Sequence, residues 1–201
     1  MIGIVDIGMG NLQSVRKAFE RIDQPARTVE TAAEITAADR LVLPGVGAFG
    51  RAMEELTARG LRRPLVDTVA AGTPLLGICL GLQLLFDRSE EHGLHEGLAL
   101  LAGDVRRLPD TVKVPHIGWN NLRIVRPGRL LAGVPDGAFF YFVQSYFVEP
   151  VDGGCVTGTT DHGRTFAAAV EAKNVFGVQF HPEKSQDAGL RILENFGRAS
   201  C

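Results

Sequence analysis

The sequence predicts an α/β protein with a central, mostly parallel mixed sheet, helices on both of its faces and antiparallel strands in its second half. Three observations carry this. Short β-rich runs alternate with longer helical patterns up to about residue 86, strand-like runs then follow one another across Gly, Pro, Asp and Asn turns, and an amphipathic stretch closes the chain. Strands alternating with helices call for parallel pairing through crossovers, whereas consecutive strands call for hairpins.

Taken in order, IGIVDI (2–7) reads as a strand and NLQSVRKAFERI (11–22) as a helix, because Leu12, Val15, Phe19 and Ile22 recur every three or four residues. RTV (27–29), RLVLP (40–44) and TPLLGIC (73–79) read as further strands, the last two joined by a helical crossover over 48–71. LALLAGDVRRL (98–108), LRIV (122–125), AFFYFVQSYFVE (138–149), CVTGTT (155–160), TFAAAV (165–170) and VFGVQF (175–180) are strand-like. In the closing helix, 187–197, Leu190, Ile192, Leu193 and Phe196 turn toward the body. No repeat, low-complexity tract or long linker appears, so one domain over 1–201 is expected.

Composition narrows the function. With 45% apolar and 22% charged residues the chain has an ordinary globular balance, and a net charge of −2 with scattered Lys and Arg gives no general attraction to nucleic acid or anionic lipid. Cys79, Cys155 and Cys201 are odd in number, widely spaced and without a CxxC pair, which argues against a disulfide framework or a zinc site and for a reducing cytoplasm. The N-terminus lacks a basic leader, and the longest apolar run, 74–86, is too short to span a bilayer and contains Gln83.

A buried cysteine ordinarily fills core, but Cys79 sits in Gly77-Ile78-Cys79-Leu80-Gly81, where a strand-forming run ends and LGLQLLF, a helix-forming run, begins. This is the nucleophile-elbow pattern with sulfur in place of oxygen: so sharp a turn crowds the positions two before and two after its tip, so both must be small. The positive end of the following helix favours negative charge at that tip. A cysteine nucleophile needs a base and the base an orienting group. GVQFHPEKS (177–185) offers His181 and Glu183, which in an extended segment face the same side, with Pro182 keeping His181 out of a helix. Leu43-Pro44-Gly45-Val46-Gly47 follows another strand and could turn N–H groups of Val46 or Gly47 toward the same sheet edge, forming an oxyanion hole with the amide of Leu80. Gly8-Met9-Gly10-Asn11, with Glu30 downstream, invites a dinucleotide reading, but Gln13 stands at the third glycine position and no GK[ST] occurs.

PGVG, GICLGLQ and HPE, in this order and at strand ends, resemble the triad glutaminases of the class I glutamine amidotransferase family. DIGMGNLQSV, KVPHIGWNNL, YFVQSY and GVQFHPEKS are similar, more narrowly, to the branch of glutaminase subunits of imidazole glycerol phosphate synthase; the matches run from residue 6 to about 196. The resemblance implies a three-layer, flavodoxin-like fold with Cys79 as nucleophile, His181 as base and acid and Glu183 as its orienter. It implies glutamine recognition by Gly47, Gln83, Glu91, Ser145 and Tyr146, with no metal and no organic cofactor. It further implies a (βα)8-barrel cyclase partner in a heterodimer, which joins the ammonia to a phosphorylated intermediate to give imidazole glycerol phosphate and AICAR. Asn11, Trp119, Asn120, Tyr141, Gln144 and Lys184 would face that cyclase. Two positions depart from the branch: Ile7 where tyrosine is usual, and Gln144 where histidine is usual. A glutaminase subunit of another pathway, or an inactive regulatory module on this fold, are the alternatives.

Overall fold

The parallel part forms from runs that are apolar without interruption. In a computed structural model that describes residues 1–199, the strands β1 (Ile2–Val5), β2 (Ala26–Val29), β3 (Arg40–Gly45) and β4 (Leu75–Cys79) pair in parallel in the order β2-β1-β3-β4. Every residue of β1 and β4 is buried, as expected of strands covered on both faces. Cys201 lies outside the described residues.

Helices α1 (Leu12–Glu20), α2 (Ala32–Thr36), α3 (Phe49–Ala58) and α4 (Arg62–Ala70) link these strands. The helical crossover expected over 48–71 is present and consists of two helices, α3 and α4. Gly60, at a φ of +68°, ends α3 in a left-handed turn in which the Leu61 N–H donates to the Leu56 carbonyl at 2.8 Å. The short α2, not read from the sequence, is set by a capping box: Thr31 Oγ1 accepts from the Glu34 N–H, and the Glu34 carboxylate accepts from the Thr31 N–H.

After β4 come α5 (Leu80–Leu84), β5 (Phe86–Ser89), β6 (His95–Glu96), β7 (Leu101–Arg107), β8 (His116–Asn121), β9 (Arg123–Ile124), β10 (Phe139–Gln144), β11 (Tyr146–Pro150), β12 (Val156–Asp161), β13 (Thr165–Ala172), β14 (Val175–Val178) and α6 (Gln186–Arg198). The main sheet continues from β4 through β14, which is parallel to it, and then β13, β11, β7, β5 and β6; β12 lies against β13 and carries β9. The antiparallel pairs are β14–β13, β13–β11, β11–β7, β12–β13, β12–β9 and β5–β6, so the mixed sheet expected for the second half is present.

AFFYFVQSYFVE is not one strand. It breaks at Ser145: β10 pairs with β8 in a separate two-stranded ribbon, while β11 enters the main sheet. Both halves are rich in β-forming residues, so local preference carries no mark of the break; packing decides it. Phe140 points inward and stacks on Phe180 with ring centres 4.0 Å apart, and Phe142 meets the same ring edge to face at 5.7 Å.

The core has two layers, one on each face of the sheet. Leu41 and Leu43 belong with Phe49, Leu56, Leu65 and Phe86, beneath α3 and α4, whereas Val42 belongs with Phe19, Phe176, Leu193 and Phe196, beneath α1 and α6. Each such side chain contributes roughly 1.5–3 kcal/mol on burial, and together the layers fix the carboxyl edge of the parallel strands.

Candidate active site

At that edge β4 ends on Cys79 at φ 55° and ψ −110°, a left-handed position for a residue with a side chain, and α5 starts at the next residue. The strain persists because the flanking elements leave no alternative. A Cβ on Gly81 would lie 1.7 Å from the Leu43 carbonyl oxygen, and one on Gly77 would lie 2.6 Å from that of Gly81. Both elbow glycines are required for the reason the pentapeptide suggested: α5 lies directly on the strands. Cys79 is a free thiol, 6% exposed, and its Sγ lies 3.9 Å from the Val143 carbonyl oxygen of β10.

His181 follows β14. Its Nδ1 lies 2.8 Å from Glu183 Oε1, and both side chains are almost fully enclosed. The two are brought together by a different local structure from the extended one expected, because Pro182–Lys184 form a 3-10 turn, with proline at the first helical position where its missing N–H costs nothing. The His181 N–H donates to the Tyr141 carbonyl at 2.9 Å, and Ser185 Oγ donates to the His181 carbonyl at 2.6 Å while accepting the Tyr141 N–H at 3.0 Å. Nε2 makes no hydrogen bond among the described residues. The imidazole is pushed up to about 10: burial favours its neutral form, but the neighbouring Cys79 sulfur and Glu183 carboxylate outweigh burial.

A cavity of about 280 Å³ opens beside Cys79, lined by Val46, Gly47, Leu80, Gln83, Glu91, Ser145 and Tyr146 together with Pro115, Val143 and Gln144. Every residue expected to recognise glutamine or hold the oxyanion thus meets in one cavity, although they come from four separated stretches of chain. Gly47 takes φ +99° on the turn after β3, and any side chain there would meet the Met9 methyl at 2.8 Å. Glu91 is held by the start of α3: no side chain of that helix caps its N-terminus, and Glu91 Oε2 accepts the Phe49 N–H at 2.6 Å. Pro115, Val143 and Gln179 were not singled out from the sequence. Gln179 Nε2 lies 3.8 Å from Cys79 Sγ, and only its place in QFHPE, two residues before His181, marked it out.

The residues expected on a partner face divide by strand alternation. Trp119 and Tyr141 are cross-strand neighbours on the outer face of the β8–β10 ribbon, with Ile117 and Phe139, which are 59% and 60% exposed; Lys184 Nζ lies 5.8 Å from the Tyr141 ring centre. Asn120 and Gln144 lie on the inner face instead: Asn120 donates to the Asp161 carbonyl at 2.8 Å, and Gln144 is buried opposite His116. Asn11 is exposed and caps α1 by accepting the Ser14 N–H. His116 stacks on His162 at 4.1 Å, and burial, then the neighbouring His162 charge, pushes it down to about 4.

In the Gly8–Asn11 stretch the Gly8 N–H donates to Asp6, and downstream Glu34 accepts the Glu30 N–H. Among the described residues no three His, Cys, Asp or Glu side chains are grouped to hold a metal ion, and no helix is long and apolar enough to cross a membrane.

Comparison with known proteins identifies the family and the fold. The family model of glutamine amidotransferase class-I matches residues 4–199. Imidazole glycerol phosphate synthase subunit HisH of Moorella thermoacetica is 54% identical over 98% of this chain and 93% of its own, and that of Aquifex aeolicus is 50% identical over 97% and 95%. Among solved structures, a glutamine amidotransferase superposes with a TM-score of 0.77 at 20% identity, covering 98% of both chains. The glutaminase domain of Trypanosoma brucei CTPS superposes with a TM-score of 0.68 at 17% identity, covering 100% of this chain and 94% of that one. At such identities these structures share the fold.

Proposed function

Because the chain belongs to the class I glutamine amidotransferase family, we propose that Cys79, His181 and Glu183 are its catalytic triad. The chain hydrolyses glutamine to glutamate and ammonia in the imidazole glycerol phosphate synthase of histidine biosynthesis, where it acts with a partner cyclase subunit. The observation that carries the triad is the elbow cysteine in the cavity wall next to an imidazole held at 2.8 Å by a buried carboxylate.

In the mechanism, Cys79 Sγ attacks the side-chain amide carbon of glutamine and the carbonyl electrons move to oxygen. The N–H of Leu80, at the start of α5, and one from the Val46–Gly47 turn receive that oxyanion. His181 Nε2, protonated and unpartnered, gives its proton to the leaving nitrogen, so ammonia departs and a glutamyl thioester remains. His181 then takes a proton from water, which attacks the thioester and releases glutamate, restoring the sulfur. Glu183 keeps Nδ1 protonated and the ring turned toward sulfur throughout.

The cavity wall and the exposed apolar face share the β8–β10 ribbon, so a partner seated on Ile117, Trp119, Phe139 and Tyr141 would touch the back of the wall. We assign that face to the cyclase, a (βα)8 barrel in a heterodimer, with Lys184 and Asn11 at its rim, and place the enzyme, one domain with a free thiol nucleophile, in the cytoplasm. The test is Cys79→Ala: glutamine-dependent synthesis by the complex is abolished, while synthesis from added ammonia continues at the parental rate. A variant that still releases glutamate at the parental rate would end the assignment.

A further inference from the structure

One enclosed polar side chain beside the nucleophile has no part in that mechanism. Gln179 is 0% exposed, on the segment between β14 and His181. Its Nε2 points at Cys79 Sγ across 3.8 Å, and its Oε1 accepts from Gln83 Nε2 at 3.2 Å. Gln83 Nε2 also donates to the Tyr146 carbonyl at 3.1 Å.

An amide nitrogen has two hydrogens, and both of those on Gln83 are therefore committed. Its oxygen is the atom left for the cavity that Gln83 lines. Were Gln83 turned over, its oxygen would meet two acceptors, the Tyr146 carbonyl and Gln179 Oε1, and the unmade hydrogen bonds would disfavour that state. Nε2 rather than Oε1 of Gln179 faces the sulfur, the orientation that suits the attacking thiolate, which only accepts.

Resting on the glutaminase reading, we propose that Gln179 is a positioning residue that couples the nucleophile to substrate selection. It donates a hydrogen bond to the Cys79 sulfur and, through Oε1, holds Gln83 with its oxygen toward the cavity, where an acceptor suits the α-ammonium group of glutamine. The thiolate is stabilised, and the enzyme selects amides that carry an amino group.

The experiment uses the chain with its partner subunit and the variants Gln179→Leu and Gln179→Glu. One readout is the pH profile of Cys79 alkylation by iodoacetamide, taken as the difference from Cys79→Ala. Loss of one donor to sulfur moves the midpoint up by roughly one pH unit in Gln179→Leu, and Gln179→Glu, with a negative charge added, moves it further. The second readout is KM against kcat for two amides: KM for glutamine rises roughly 10-fold in Gln179→Leu, whereas KM for glutaramate, which has no α-amino group, hardly changes. An unmoved alkylation profile in a folded variant, or equal KM losses with both amides, overturns the proposal. If circular dichroism shows both variants unfolded, the unmutated chain decides: the Gln179 side-chain amide resonance titrates with the midpoint of Cys79 alkylation, and a resonance that stays still refutes the coupling. A parent complex that releases no glutamate from glutamine would refute the glutaminase reading instead.

Discussion

The parallel strands and the β8–β10 ribbon form opposite sides of one cavity and are held in place by unlike means. β4 is buried on both faces, paired with β3 on one side and β14 on the other, and α5 is seated so closely on the strands that Gly77 and Gly81 cannot accept a methyl group. The ribbon has two strands paired only with each other and an outer apolar face in contact with solvent. On its inner side the Gln144 amide and His116 Nδ1 are buried without partners among the described residues, a cost of about 1–3 kcal/mol for each unsatisfied group. Cys79 therefore stands on the wall held by a strand on each side, the stiffer one, while the ribbon is held by bonds from Tyr141 to His181 and Ser185 and by packing on Phe180 rather than by a further strand. Chemistry needs fixed geometry, and regulation needs an element with somewhere to go.

The comparison breaks most visibly if the stiff wall does not carry the chemistry. His181→Ala is expected to lower kcat by about 10⁵–10⁶, and Glu183→Gln by about 10⁴, because an orienting carboxylate assists a base that still acts without it. The kcat values are compared in the same partner complex. A larger loss for the glutamate variant would assign the two roles wrongly.

The ribbon side is sharpened by rates with and without the partner. On the turn after β3, Gly47 at φ +99° tolerates either orientation of the peptide before it; if the isolated chain turns a carbonyl rather than an N–H toward the site, one oxyanion donor is lost, which costs about 10²–10³. If docking on Trp119 and Tyr141 settles that turn, glutamate release rises by at least that order from the isolated chain to the complex with its cyclase ligand. Trp119→Ala should reduce the gain. Equal rates for the chain, the complex and the liganded complex would remove this coupling and leave the triad as it is.

The smallest effect tests how the ribbon is held. A histidine that titrates near 6.5 when unfolded takes its proton only at about 4 in His116, so the unfolded chain binds that proton first. The stability tied to neutral His116 is present above pH 6.5 and is lost as pH falls toward 4. His116→Phe keeps a ring against Phe142 without the charge. Relative to the parent, its Tm should be higher at pH 4.5 than at pH 7.5, by about 2–4 °C for each kcal/mol recovered. A pH-independent difference would show that His116 does not govern the acid response.

Much of the site was legible because its chemistry is local. A strand that ends on a cysteine between two glycines, with a helix directly after, leaves few conformations open, and HPE places an imidazole and a carboxylate within two residues of each other. The β1–β4 alternation was legible for a similar reason, since continuous apolar runs and helical periodicity are properties of neighbours in sequence. Even there, Gly60 split the crossover, a left-handed helix ending that periodicity over 48–71 does not register.

By itself, then, the sequence determined the elbow, the paired His181 and Glu183 and the strand–helix alternation, which rest on residues a few positions apart, and the family, which rests on motifs spread from residue 6 to about 196. Tertiary structure alone decided that AFFYFVQSYFVE divides between two sheets, since Phe140 and Phe142 have the same β preference as Phe147, and packing against Phe180 together with pairing to β8 draws them away. It also decided which face Asn120 and Gln144 take, and that Gln83, Gln179 and Cys79, up to 100 residues apart, form one chain of hydrogen bonds. An amide's preference for its partner depends on which donor or acceptor stands opposite, and that is settled only when the strands are in place.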